Sequence, residues 1–202
     1  MALIDDYYII ESLGGSDIKD GKIFFDSLNT ISGFNPKYKK VSNFNELKKA
    51  LTDFEQSNFK YLLISSHGDE ENLHLTDETV NSYDLFDIDL DLSKKRIFMS
   101  SCRGGSYLIA KYFIKKGAYS VIGSPDDLDQ IVAVALWPTM VLTFERLNDF
   151  EVNFRELDIA LKQIVNVYRI PMHYYSFLRD EKKLKEYVYM YDKKRKRTDY
   201  EL

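Results

Sequence analysis

The sequence has almost no cysteine: Cys102 is the only one in 202 residues. A lone thiol excludes an internal disulfide framework and fits a reducing compartment, so a cytoplasmic protein is expected. Basic charge is not in excess either. The 28 Lys and Arg against 32 Asp and Glu leave a net charge of -4, which argues against a dedicated nucleic-acid binder with its basic face. The one basic run, Lys193–Arg197, reads as a solvated tail. No long apolar run exists: the longest, Ile131–Phe144, is interrupted by Pro138 and is too short to span a bilayer. The opening Met1-Ala-Leu-Ile-Asp-Asp6 lacks the basic and apolar regions of a signal peptide. Internal repeats and low-complexity linkers are also missing. Glycine disappears after Gly123, so the last part of the chain has few turn residues and reads as helices with a charged end.

What is present suffices for a sizeable core: 45% of residues are hydrophobic and 14% aromatic. The length suits one domain with an elaboration. The expected layout is a single domain over 1–202, with sheet elements in 1–60, a core in 61–147, and a helical C-terminal elaboration with a charged tail in 148–202. Short apolar runs alternate with helical patterns. Strands are expected at Tyr7–Ile10, Tyr38–Ser42, Tyr61–Ile64, Ile97–Met99 and Ser120–Ile122. The last three are short, unalternating and bounded by Gly, Ser or charge, as buried parallel strands are. Helices are expected over Asp20–Ile31, around Leu47–Phe54 with Asn43 and Glu46 as start signals, and over Tyr107–Lys116. The alternation implies an α/β fold with a doubly wound, mostly parallel sheet covered by helices on both faces. Later, Leu128–Leu147 reads as a buried helix that Pro138 should kink or divide, and Phe154–Tyr168 as an amphipathic one. Met172–Asp192 suits a strand face as well as a helix and stays open.

Two strand ends look alike. Leu62-Leu-Ile-Ser-Ser-His-Gly68 places His67 three residues past the last apolar residue, and Ile97-Phe-Met-Ser-Ser-Cys-Arg-Gly104 places Cys102 at the same offset. If the strands are parallel neighbours, about 4.8 Å apart, imidazole and thiol end level on the carboxyl edge, where such sheets bind ligands. A thiol is mostly protonated at neutral pH, and its thiolate is the nucleophile. A nearby histidine can stabilise that thiolate and carry its proton to a leaving group. The backbone N–H groups of Gly68 and Cys102 are candidate oxyanion donors. Arg103-Gly104-Gly105 is expected to open a helix whose dipole favours a thiolate. The plain alternatives are a small buried cysteine and a His-Gly turn.

Together these motifs resemble the caspase-type clan of cysteine peptidases. The separation of 35 residues between His67 and Cys102 is shorter than the roughly 50 of caspases, and is more similar to the CHAT branch. Asn72–Asp77 and Val80–Phe86 resemble the hairpin and short helix of that branch, and Lys116–Ser124 its Gly-Ala-x-x-Val-Ile strand. The resemblance covers about Tyr61–Leu147. It implies a cysteine endopeptidase acting on a protein or peptide substrate, with His67 and Cys102 as dyad. In the clan the loop after the Val-Ile strand lines the substrate pocket; here Asp126, Asp127 and Asp129 stand there, without the usual tryptophan, and would suit a basic residue. Read from the residues alone, Asp126 or Asp127 is a helix cap. The resemblance also implies a latent effector, switched on by a partner protein or an oligomer, in bacterial defence or regulated cell death. Neither nucleic acid nor membrane is an expected partner.

No cofactor is expected. His67, His74 and Cys102 lack any zinc-site spacing, phosphate-binding glycine loops are absent, and the Cys-x₅-Arg phosphatase pattern fails at Leu108. Two other readings compete with the peptidase: a catalytically silent interaction module and a thiol redox sensor.

Overall fold

Each apolar run read as a buried strand is one. A computed structural model describes residues 6–31, 33–146, 154–178, 183–191 and 196–201. The strands β1 (Tyr7–Ser12), β2 (Lys37–Lys40) and β3 (Tyr61–Gly68) alternate with α1 (Asp20–Thr30) and α2 (Phe44–Glu55). A hairpin, β4 (Asn72–His74) and β5 (Thr79–Asn81), leads into the short helix α3 (Ser82–Phe86). Then come β6 (Arg96–Ser100), α4 (Tyr107–Lys115), β7 (Ser120–Gly123), α5 (Gln130–Arg146) and α6 (Phe154–Tyr168). The chain continues through β8 (Met172–Leu178), β9 (Lys183–Tyr189) and β10 (Lys196–Glu201).

The main sheet runs β10-β9-β8-β7-β6-β3-β1-β2. From β7 to β2 all pairs are parallel, and from β7 to β10 all are antiparallel. Side chains alternate across it. Tyr8, Ile10, Leu62, Ile64, Ile97 and Met99 join the core under α2 and α4, while Tyr7, Ile9, Tyr61, Leu63 and Phe98 join the one under α1, α5 and α6. Both faces are buried, which is why these strands read as continuous apolar runs. Local signals hold as well: Asn43 caps α2 by accepting from the Glu46 N–H at 3.0 Å.

Two expectations change. The helical C-terminal elaboration is helix only through α6; beyond it the described residues form antiparallel strands. A bare β7 would leave a buried strand with an open edge, and β8 and β9 close it. Tyr187 and Tyr189, two residues apart, both enter the α5/α6 core, whereas Leu184 enters the opposite one. In the basic run, Lys196 and Arg197 belong to β10, and residues 193–195, like Leu147, lie outside the described residues. Pro138 also fails to divide α5, which runs through it. One carbonyl in the turn before the proline takes side-chain donors: Ala135 O accepts from Thr139 Oγ1 at 2.8 Å and from the Tyr168 hydroxyl at 3.2 Å.

Candidate active site

β3 and β6 pair with Ile64 opposite Met99 and Ser65 opposite Ser100. The ladder offset is the same as that between His67 and Cys102, so both lie two residues past the last pair. They stand level at the carboxyl edge. His67 still belongs to β3, whereas β6 stops at Ser100 and the chain turns through 102–105. By alternation His67 emerges on the α1/α5 side, like Tyr61 and Leu63. Half-buried Cys102 emerges there too, with Sγ 3.8 Å from Leu128 O just before α5.

A buried carboxylate ties the two strands together beneath the pair. Asp20, at the start of α1, accepts from Ser65 Oγ at 2.6 Å and from Ser100 Oγ. Ser100 Oγ in turn accepts from Trp137 Nε1 at 2.7 Å. Burial raises the Asp20 carboxyl above the usual carboxylate range, against the pull of the two serine hydroxyls. Asp20 thereby accounts for the first serine of each Ser-Ser pair. The hydroxyls of Ser66 and Ser101, one residue on, are buried and bond to nothing among the described residues.

The turn after Cys102 is laced to the loop after β7. Arg103 N–H donates to Asp126 O at 3.0 Å, and Gly105 N–H to Ser124 O at 2.8 Å. Arg103 takes a left-handed φ of 54°. Contrary to expectation, this segment does not open the helix: α4 is capped by Ser106 and starts at Tyr107, so its dipole, which fades within a turn, acts at a distance from the thiol. Gly68 lies against the same turn, where a Cβ would sit 3.4 Å from Cys102 O and 3.4 Å from Ser101 Cβ. In the β3–β4 hairpin Asp69 N–H donates to Asn72 O at 3.0 Å. Antiparallel alternation makes Gly68–Leu73 the next, non-bonded pair, which turns the Gly68 N–H away from β4.

His67 is half-exposed, and its Nε2 lies 3.1 Å from Oδ2 of Asp17. Asp17 belongs to a loop after β1 that closes on itself: Asp17 N–H donates to Gly14 O at 3.1 Å and Gly14 N–H to Asp17 Oδ2 at 3.0 Å. Partial desolvation opposes its charge, but His67, the Gly14 N–H and the Lys19 ammonium hold the carboxyl below the usual range. Sequence reasoning missed Asp17. The available signal was a Gly-Gly-Ser-Asp loop following a strand parallel to β3, hence on the same edge.

The three residues expected in a pocket make separate contacts. Asp129, rather than Asp126 or Asp127, caps α5: its Oδ1 accepts from Ile131 N–H at 2.7 Å and Val132 N–H at 3.4 Å. Exposed Asp127 lies 3.4 Å from Arg103 Nε, and Asp126 donates its N–H to Ser124 Oγ at 3.1 Å. His74 has both nitrogens engaged, Nε2 3.0 Å from Asp69 Oδ2 and Nδ1 3.0 Å from Thr79 Oγ1. Among the described residues no group of His, Cys, Asp or Glu is arranged to hold a metal ion, and no helix is long and apolar enough to cross a membrane.

Beside the Cys102 turn a cavity of about 300 Å³ is lined by Glu70, Ser106, Pro125, His173, Tyr175 and Glu186, among others. Glu186 Oε1 lies 2.9 Å from His173 Nδ1 and 2.6 Å from the Tyr175 hydroxyl, and its Oε2 accepts from the Tyr200 hydroxyl at 2.8 Å. The Tyr175 hydroxyl also reaches Gly105 O at 3.0 Å, which connects the C-terminal strands to the turn.

No protein-family model and no curated protein matches the sequence. Among solved structures the chain is similar to the Arg-specific cysteine proteinase gingipain R (RgpB), with a TM-score of 0.53 at 11% identity over 96% of this chain and 66% of that one. It is equally similar to the complex of Porphyromonas gingivalis RgpB pro- and mature domains, with a TM-score of 0.53 at 12% identity over 96% of this chain and 67% of that one. The chain thus spans about two thirds of these neighbours, and at this identity the likeness is one of fold. The strand order, the two helical layers and that likeness give this chain an α/β fold with a mostly parallel central sheet, similar to that of gingipain R.

Proposed function

We propose that the chain is a cysteine endopeptidase in which Cys102 is the nucleophile and His67 its acid–base partner. The observation that carries this reading is the level position of the two side chains at the ends of adjacent parallel strands, in a fold whose solved neighbours are cysteine proteinases. His67 takes the thiol proton, and the Cys102 thiolate forms a bond to the carbonyl carbon of the scissile peptide. The N–H groups of Gly68 and Cys102 meet the oxyanion. As the C–N bond breaks, His67 gives its proton to the leaving amine. Water, deprotonated by His67, then hydrolyses the thioester, and the proton returns to the thiol.

A basic residue before the scissile bond suits Asp126 and Asp127 at the rim of the Cys102 turn, and one neighbour is described as Arg-specific. Asp129 is engaged as a helix cap, so in this reading it shapes the rim rather than meeting the substrate directly. Control by a partner is supported by the other neighbour, solved as a complex of pro- and mature domains. The finer kinship to CHAT peptidases, with a role in defence or cell death, rests on the hairpin and short helix between His67 and Cys102.

Peptidyl electrophiles carrying a basic, acidic or apolar residue at the cleavage position test the reading, with adducts weighed on wild type, His67→Ala and Cys102→Ala. Selective labelling of Cys102 that disappears in His67→Ala is expected. Oxidation by peroxide with no peptide preference would instead identify a thiol sensor. No labelling, even with cell lysate added as a source of activators, would identify a silent module.

A further inference from the structure

We propose that the cavity beside the Cys102 turn is an effector site for an arginine side chain of a partner protein. Binding there needs neither Cys102 nor His67, so the proposal goes beyond the reading of the reacting pair. The cavity, about 300 Å³, lies on the other side of the sheet from that pair. Tyr175 in its wall belongs to the core under α2 and α4, and Tyr107 and Leu108 are the first residues of α4. His67 and Cys102 emerge instead toward α1 and α5. A ligand in the cavity therefore meets the turn from behind and leaves the reacting atoms free.

The lining suits a planar cation on an aliphatic stem. Leu108, Pro125 and the rings of Tyr107 and Tyr175 give apolar walls, and a guanidinium stacks on such rings. His173 supplies an acceptor. Its side chain is 17% exposed, and Nδ1 lies 2.9 Å from Glu186 Oε1, while Nε2 has no hydrogen-bond partner among the described residues. In the neutral ring that carboxylate keeps the proton on Nδ1 and leaves the Nε2 lone pair for a donor. Glu186, 8% exposed, places a buried negative charge behind the imidazole. Exposed Glu70 and Glu71 add two more at the hairpin; Arg103, 3.4 Å from Glu70, and the positive pole of α4 offset part of this. The frame is already fixed, since Ser106 Oγ donates to Glu70 O at 2.7 Å and Ser82 N–H to Glu71 O at 2.7 Å.

The same walls carry the coupling. Gly105 and Pro125 both line the cavity, one from the turn and one from the loop after β7. Gly105 N–H donates to Ser124 O and Arg103 N–H to Asp126 O, on either side of Pro125, and the Tyr175 hydroxyl reaches Gly105 O at 3.0 Å. A side chain seated against both segments holds the turn to the loop, and the thiol with it.

The test is ¹⁵N-histidine NMR of the full chain, titrated with N-acetyl-arginine methylamide and, as control, its uncharged citrulline counterpart. His67, His74 and His173 are assigned through single substitutions to Gln. The arginine probe should shift His173 and leave His67 and His74 in place, and the citrulline probe should shift none of them. At saturation the arginine probe should speed alkylation of Cys102 by chloroacetamide about fivefold, the low end of ordinary coupling between sites. Glu186→Gln should weaken binding by about tenfold or more, the scale of a lost charged hydrogen-bond partner. Glu71→Gln, at an exposed position where folding is not at stake, should weaken it about twofold. A His173 signal that ignores the arginine probe, or answers citrulline equally, would overturn the site. A shift at His67 alone would put the probe in the substrate pocket and overturn it as well. A shifted His173 with an unchanged alkylation rate would overturn the effector role. Faster alkylation without labelling by any peptidyl electrophile would uphold the effector site and overturn the peptidase reading instead.

Discussion

Gly105 has no room for a side chain. A Cβ there would lie 2.3 Å from Gly123 O, a backbone atom of the neighbouring strand end that cannot rotate away. The turn and the loop after β7 therefore move together. Gly105→Ala is expected to cost about 1–3 kcal/mol, the usual range for overpacking, read as a lower urea midpoint. It should also slow Cys102 alkylation, because the displaced turn carries the thiol. Residue types at this scale were legible as a candidate: a lone thiol and a histidine at matched offsets from two strands mark the pair proposed to react. Asp17 was not legible. Its loop looks like any Gly-Ser-Asp turn, and only the parallel pairing of β1 with β3 brings it to His67.

The three C-terminal strands are held by one carboxylate. Although desolvation opposes its charge, Glu186 is kept at about 2 by His173 and the hydroxyls of Tyr175 and Tyr200, against an ordinary value of about 4.3. The stability it contributes is present above the ordinary value and disappears as pH falls from there toward 2. Glu186→Gln should destabilise the chain by on the order of 3 kcal/mol at pH 7 and flatten that acid limb. Urea titrations at pH 7, 4 and 3 measure both effects. The same desolvation and hydrogen bonding push the Tyr200 phenol up to about 12. At this scale the helices with caps and clear periodicity were legible, α2 and α6 above all. Met172–Asp192 was not, because its aromatic residues fit either period until a partner strand exists.

At the scale of the molecule the central strands are buried on both sides, so adjacent residues of one strand belong to different cores. Leu62 and Leu63 are 0% and 1% exposed, each in its own cluster. Leu62→Ala and Leu63→Ala should each cost about 2–5 kcal/mol, the range for buried leucines. A one-sided sheet would leave one of the two nearly neutral, and chemical denaturation of both variants decides the matter.

The doubly wound core was determined by local information: apolar runs too short for helices, helical periods between them, and glycine and serine at the strand ends. The level placement of His67 and Cys102 was also legible, since equal offsets from buried strands survive any packing that keeps the strands parallel and adjacent. Tertiary structure alone decided the rest. It chose which acid meets His67 and turned the described C-terminal residues into strands. Each of these outcomes depends on distances between segments far apart in the chain, and side-chain hydrogen bonds and ion pairs act only across a few ångströms, once the strands have brought their ends together.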